Sequence, residues 1–158
     1  GIVVGQSLLE EGSEEMIKEI YKLANKTGCE IHLPTDVVLN DEQSLSIDRL
    51  SDQNQFSILD LSNHSIEVLE QLVKRSEIVL WNGPMGMIED PRFAQGSSKL
   101  AHLLANSSCD VVIGGGDTLL AINIAGVSFD HYHFVSTAGG AFLEALEDKE
   151  LPGIIALQ

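Results

Sequence analysis

The sequence predicts an α/β fold, three-layered α/β/α with a mainly parallel sheet, and three observations carry that prediction. Short apolar runs such as EIVLW and DVVIG alternate with stretches of helical periodicity 8–16 residues long. Glycine-rich segments stand where several of these runs should pass into helices. The 158 residues, 44% of them hydrophobic, suffice for one domain with a sizeable core.

Taken in order, residues 13–28 read as a covering helix: Met16, Ile17, Ile20, Tyr21, Leu23 and Ala24 share a face, Glu14 and Glu15 sit in the first turn, and Gly28 follows Lys26. CEIHLPTDVVL (29–39) reads as a strand, a break near Pro34 and a second extended piece. Residues 40–56 are polar, acidic and aperiodic, and read as a surface excursion within the domain. Helical spacing returns over 63–75, with Ile66, Leu69, Leu72 and Val73 on one face and Asn63 or Ser65 as cap. EIVLW (77–81) follows as a buried strand, and NGPMG is dense turn chemistry. Asp90-Pro91 opens a helix to about residue 105 that buries Phe93, Leu100, Leu103 and Leu104. Strand DVVIG, a short helix 117–125 stopped by Gly126, strand HYHFVS and a helix over 140–147 complete a Rossmann-like series.

Charge and cysteine usage narrow the function classes. The formal net charge of −15 argues against nucleic acid, which is held by lysines and arginines, and against an anionic membrane surface. After residue 80 the only basic side chains are Arg92, Lys99 and Lys149, so a phosphorylated ligand would have to be held by backbone amides, helix N-termini or a metal ion. Cys29 and Cys109 form no metal-ligand spacing and read as buried free thiols. No apolar run approaches a bilayer span and no signal segment opens the chain, which predicts a cytoplasmic location. The opening GIVVGQSLLEEG lacks an initiator methionine and suits the interior of a larger protein, so an incomplete domain is expected.

In a parallel α/β sheet, ligands bind beyond the carboxyl ends of the strands near a topological switch point. That rule selects three loops: WNGPMGMIED, GGGDT and STAGGA. Each helix that follows begins with unsatisfied N–H groups and a partial positive charge. In the second loop, Gly114, Gly115 and Gly116 remove every side chain that would keep a phosphate from the amides, with Asp117 at the expected N-cap and Thr118 one residue in. The same residues also suit a plain tight turn, with Asp117 a helix cap only. Beside a polyphosphate, Asp117 would need an intervening cation, which makes it a candidate Mg²⁺ ligand. STAGGA repeats the arrangement with Ser136, Thr137, Gly139 and Gly140. In the first loop Pro84 fixes the backbone between Gly83 and Gly86, and Asn82 offers donors and an acceptor. Glu89 suits either ribose hydroxyls or solvent.

VLWNGPMGMIE…FAQG, VVIGGGDTLLAINIAG and HFVSTAGGAFLEALEDKELPGIIAL, in this order and at these separations, resemble the C-terminal half of phosphoglycerate kinase, and VGQSLLEE and IHLPTDVV extend the likeness over essentially the whole chain. The resemblance implies that residues 1–158 are most of that family's nucleotide-binding domain. The parent enzyme would reversibly transfer a phosphoryl group between 1,3-bisphosphoglycerate and ADP, giving 3-phosphoglycerate and ATP, with Mg²⁺, as a monomer. By position it assigns Gly115, Gly116, Asp117 and Thr118 to the nucleotide phosphates, with Asp117 toward the metal. Asn82, Gly83, Pro84 and Met85 would line the nucleotide cleft, and Glu89 would meet the ribose. The amides near Gly116 and Gly139 would stabilise the transferring group.

Two departures stand out. Ala138 replaces the first of three glycines that usually follow Ser-Thr, and ILDLSN (58–63) replaces Gly-Leu-Asp-x-Gly-Pro, putting Ile58 where the family has a nucleotide-contacting glycine while Leu59 and Asp60 match. The basic phosphoglycerate-binding domain and the Gly-Ala-Lys segment have no counterpart here, so the chain alone is expected to lack activity. The competing reading, of another class, is a noncatalytic α/β interaction module whose glycine turns are structural.

Overall fold

The computed structural model describes residues 4–9, 12–51, 55–147 and 150–156. In chain order its elements are α1 (Glu14–Thr27), β1 (Asp36–Leu39), β2 (Ser44–Ser46), β3 (Ile58–Leu61), α2 (Asn63–Lys74), β4 (Ile78–Asn82), α3 (Gln95–Ala105), β5 (Asp110–Gly114), α4 (Gly116–Ile124), β6 (Phe134–Ser136), α5 (Gly139–Leu146) and α6 (Pro152–Ile155).

The expected parallel sheet is β4-β5-β6, with β5 central and both pairings parallel. Its strand order is sequential, and right-handed crossovers taken in one direction put α3 and α4 on the same face. There they pack on each other and bury Val111 and Ile113 of β5 and Trp81 of β4, with Leu100, Leu104, Ala121 and Ile122 from the helices. The other face is not covered by the described residues: Ile78, Leu80 and Phe134 are exposed apolar side chains. EIVLW is therefore buried on one side only. An incomplete α/β domain is what the structure shows, with the second helical layer not supplied by the described residues.

Residues 36–61 correct the sequence reading more sharply. The polar stretch after β1 is not a plain excursion, because it contains β2, which pairs with β1, and β1 pairs in turn with β3, both antiparallel. This second three-stranded sheet has its own small core of Val37, Leu39, Leu50 and Phe56. Residues 29–34, read as a strand, are irregular, since a strand needs a neighbour to receive its N–H and C=O groups. α1 has its expected bounds and ends on Gly28 at φ 73°, yet only its Ala24 is buried, so it covers little of the described core.

Smaller differences concern helix starts. The stretch from Pro91 is two elements: a 3-10 turn, Pro91–Phe93, capped by Asp90 accepting from the Arg92 N–H, and then α3. The N-cap of α2 is Ser62, not Asn63 or Ser65. Ser65 instead ties the helix to the small sheet: its hydroxyl donates to the Asp36 carbonyl at 2.7 Å and accepts from the Asp36 N–H at 3.1 Å. Cys109 is buried as expected, but Cys29 is exposed.

Candidate nucleotide site at the strand ends

The three loops singled out by the sequence meet because their strands end in register. Asn82 pairs with Gly114, and Gly114 with Ser136, so WNGPMG, GGGDT and STAGGA leave the sheet side by side. Alignment of strand ends brings them together, not a reversal of strand order, since none occurs within β4-β5-β6.

Helix α4 begins on Gly115, not on Asp117. Gly115 is the N-cap at φ 94°, ψ 138°, a conformation open to glycine and strained for other residues, and Asp117 lies within the first turn with its side chain exposed. Asp117 is thus free of the capping duty the sequence suggested. The turn is crowded on its inner side. A Cβ at Gly114 would stand 2.6 Å from the Phe142 ring of α5 and 3.1 Å from Asn82 Nδ2, and one at Gly115 would stand 3.3 Å from that same amide. A Cβ on Gly139, the first residue of α5, would come within 3.5 Å of Gly115 Cα, so the two helix starts nearly touch. Beside Gly116 and Gly140 the space is open. Two N-terminal helix ends therefore converge on open space walled by backbone, an arrangement suited to a multiply charged anion. Ala138 caps α5 at φ −89°, ψ 92°, which any L-residue adopts, so its replacement of glycine introduces no backbone strain.

Loop 82–87 is anchored from three directions. The Gly83 N–H donates to Thr118 Oγ1 at 2.7 Å, the Met85 N–H to Ser97 Oγ at 2.8 Å, and the Met87 N–H to the Leu59 carbonyl at 2.9 Å. Trp81 Nε1–H donates back to the Gly83 carbonyl at 2.7 Å. Pro84, Met85, Gly86 and Met87 line a cleft of about 570 Å³ together with Ile58, Leu59 and residues of the 4–9 segment. Ile58 is half-buried against the small core and stands in this cleft's wall. Glu89 lies beyond the loop with its side chain exposed.

Ser97 went unread in the sequence, and Asp60 was noted there only as matching the family motif, without its role. Ser97 is buried on α3. Asp60, 2% exposed, is a buried carboxylate on β3 whose Oδ2 accepts from the Gly96 N–H at 3.0 Å and whose Oδ1 accepts from the Leu61 N–H at 2.8 Å. Burial raises its pKa above the ordinary carboxylate value; the Gly96, Leu61 and Gln95 amides and Lys99 act against this without overcoming it. A Cβ at Gly86 or Gly96 would collide with Asp60 Oδ1, so both glycines are required by its close approach. The available signal was an acid inside an apolar strand, ILDL, with no neighbouring base in sequence.

Thr118 also differs from its expected place. It is fully buried, and its hydroxyl faces the loop, so any ligand contact it makes would come through its backbone. Of the late cations, Arg92 pairs with Asp90 at 2.6 Å and Glu42 at 3.4 Å, and the Lys99 ammonium is hydrogen-bonded to Asn63 Oδ1. Lys149 lies outside the described residues.

Parallel strands ending in glycine-opened helices define an α/β protein whose strand ends offer unsatisfied amides, a geometry suited to an anionic ligand. Comparison with known proteins specifies which: the phosphoglycerate kinase profile matches residues 1–149, and the chain belongs to the phosphoglycerate kinase family. It is 41% identical to the phosphoglycerate kinase of Zymomonas mobilis over 100% of its length and 42% of that protein, and 42% identical to that of Prochlorococcus marinus over 99% and 41%. Its fold matches the phosphoglycerate kinase structure from Coxiella burnetii with a TM-score of 0.89, 34% identity and coverage of 100% of this chain and 42% of that one. The structure from Pyrococcus horikoshii matches at a TM-score of 0.78 and 25% identity, covering 94% and 37%. The chain thus spans about two fifths of the length of these relatives. No described helix is long and apolar enough to cross a membrane.

Proposed function

We propose that the chain carries the phosphate and ribose side of a phosphoglycerate kinase nucleotide site, as most of the C-terminal domain of a monomeric, cytoplasmic glycolytic enzyme. In that reading the whole enzyme moves a phosphoryl group between 1,3-bisphosphoglycerate and ADP, and the phosphoglycerate is met by residues outside this chain. The observation that supports it most is the meeting of the Gly115 and Gly139 turns at the aligned ends of β5 and β6. The Gly116 and Gly139 amides face the transferring group, where positioning and electrostatics do most of the work of phosphoryl transfer. Asn82, Gly83, Pro84 and Met85 wall the nucleotide, and Glu89 accepts from the ribose.

Mg²⁺ fits the donor chemistry of this end of the sheet. No three His, Cys, Asp or Glu side chains gather as a ligand set among the described residues, and Asp117 offers one exposed carboxylate beside the amides. A magnesium ion takes one or two carboxylates and completes its octahedron with phosphate oxygens and water. It would neutralise the repulsion between Asp117 and the polyphosphate and orient the terminal phosphate.

Calorimetric titration of the folded chain with Mg-ADP tests the reading. Binding at millimolar concentration or tighter is expected, weakened by Asp117→Asn only when magnesium is present. An absence of binding by a demonstrably folded sample would favour the noncatalytic module, and turnover by the chain alone in a coupled assay would overturn its expected inactivity.

A further inference from the structure

The anchoring of loop 82–87 carries a consequence for the way the two halves of the cleft are held together. The N–H groups of Gly83, Met85 and Met87, every second residue, turn into the protein, each to a different element: α4, α3 and β3. The links to α3 and β3 fix the loop to the body of the molecule. Of these three only the first reaches the helix that opens with Gly115-Gly116. The Gly83 peptide is held on both sides, its N–H by Thr118 and its carbonyl by Trp81 Nε1–H, and its φ of 95° is one that few other residues would accept. Thr118 itself is 0% exposed and lies in the first turn of α4, 35 residues along the chain from Gly83.

We infer that the Thr118 hydroxyl is a positioning group, which locks the cleft-lining loop 82–87 to the start of α4 and so sets the span between the base side and the phosphate side of the site. The ligand served, a nucleoside diphosphate, rests on the reading proposed above; the lock itself does not. A bound ligand that touches only one side gains nothing from a fixed span, whereas one that bridges both does, because its two ends then need no reorganisation of the protein.

Two measurements on the 158-residue chain test the inference. Without ligand, the Gly83 amide should exchange slowly with solvent, like the central amides of β5. In Thr118→Val, which keeps the side chain's shape, Gly83 exchange should quicken about tenfold while β5 exchange is retained, and Thr118→Ser should restore it. Fast Gly83 exchange in the unsubstituted chain, or none of this change in the valine variant, overturns the lock. Titrations then compare Mg-ADP, adenosine and Mg-pyrophosphate. Thr118→Val should weaken Mg-ADP about tenfold and leave the two half-ligands within about twofold. An equal loss for all three marks general loosening and overturns the inference. If the unsubstituted chain binds none of them while the Gly83 result holds, the nucleotide reading fails and the lock stands.

Discussion

Replacing Asp60 with alanine removes the acceptor on which two separate parts of the site are seated. Its Oδ2 takes the Gly96 N–H at the start of α3, its Oδ1 takes the Leu61 N–H, and Gly86 of loop 82–87 packs directly against it. Each buried N–H left without a partner costs about 1–3 kcal/mol. Against that, the variant no longer has to desolvate a carboxylate that is 2% exposed, and desolvation is the largest influence on Asp60. The two terms leave a net loss of about 2–4 kcal/mol. For a domain of this size that lowers Tm by about 5–15 °C. Asp60→Asn should lose less, because the amide oxygen still serves one donor while its NH₂ confronts the other.

The pH dependence follows from the direction of the Asp60 shift. Its folded pKa lies above its unfolded one, so its contribution to stability is complete below the unfolded value and is lost as pH rises through the folded value. The gap between the parent chain and Asp60→Ala is therefore widest at the acid end of that window and narrows above it. Urea unfolding followed by far-ultraviolet circular dichroism, repeated across the carboxylate range, measures both quantities. An Asp60→Ala variant within about 0.5 kcal/mol of the parent at every pH would refute the reasoning, since that is the scatter of an ordinary surface substitution.

Two further outcomes are expected. Gly115→Ala places a side chain at φ 94° and 3.3 Å from Asn82 Nδ2, which should cost about 1–3 kcal/mol in urea unfolding and weaken Mg-ADP, while Gly116→Ala, with open space beside it, should be far milder for folding. Tyr132 donates to the Ala101 carbonyl at 3.1 Å, and burial pushes its phenol up to about 12. In a Tyr21→Phe background the phenolate absorbance near 295 nm should emerge only around pH 12. Because the folded pKa is raised, the stability Tyr132 contributes is lost as pH climbs through that value.

Much of the site was legible in the sequence because its chemistry is local. Glycine before a helix exposes amides wherever the helix lies, and the strand-turn-helix pattern around DVVIGGGDT needs only nearest neighbours to be read. The bounds of α1, α2 and β5 follow from periodicity and end signals for the same reason. What failed was each statement that depended on a distant partner. Asp117 looked like the cap of α4, but the helix starts on Gly115, at φ 94° and with Asn82 and the start of α5 close beside it. The Thr118 hydroxyl looked free to meet a ligand, but it is buried and accepts from the Gly83 N–H, because β4 places Gly83 beside it. Residues 40–56 looked like loop, since the pairing of β1 with β2 and β3 leaves little periodic trace in such short strands.

The sequence by itself determined the fold class, the three glycine loops and the family, all of which are written in residue types and their order. Only the tertiary structure decided which side chains face the ligand space and which hold the frame. A hydroxyl or carboxylate looks the same in sequence whether it meets a phosphate or a backbone amide. The choice is made by burial and by hydrogen bonds that span 35 residues from Gly83 to Thr118 and 36 from Asp60 to Gly96.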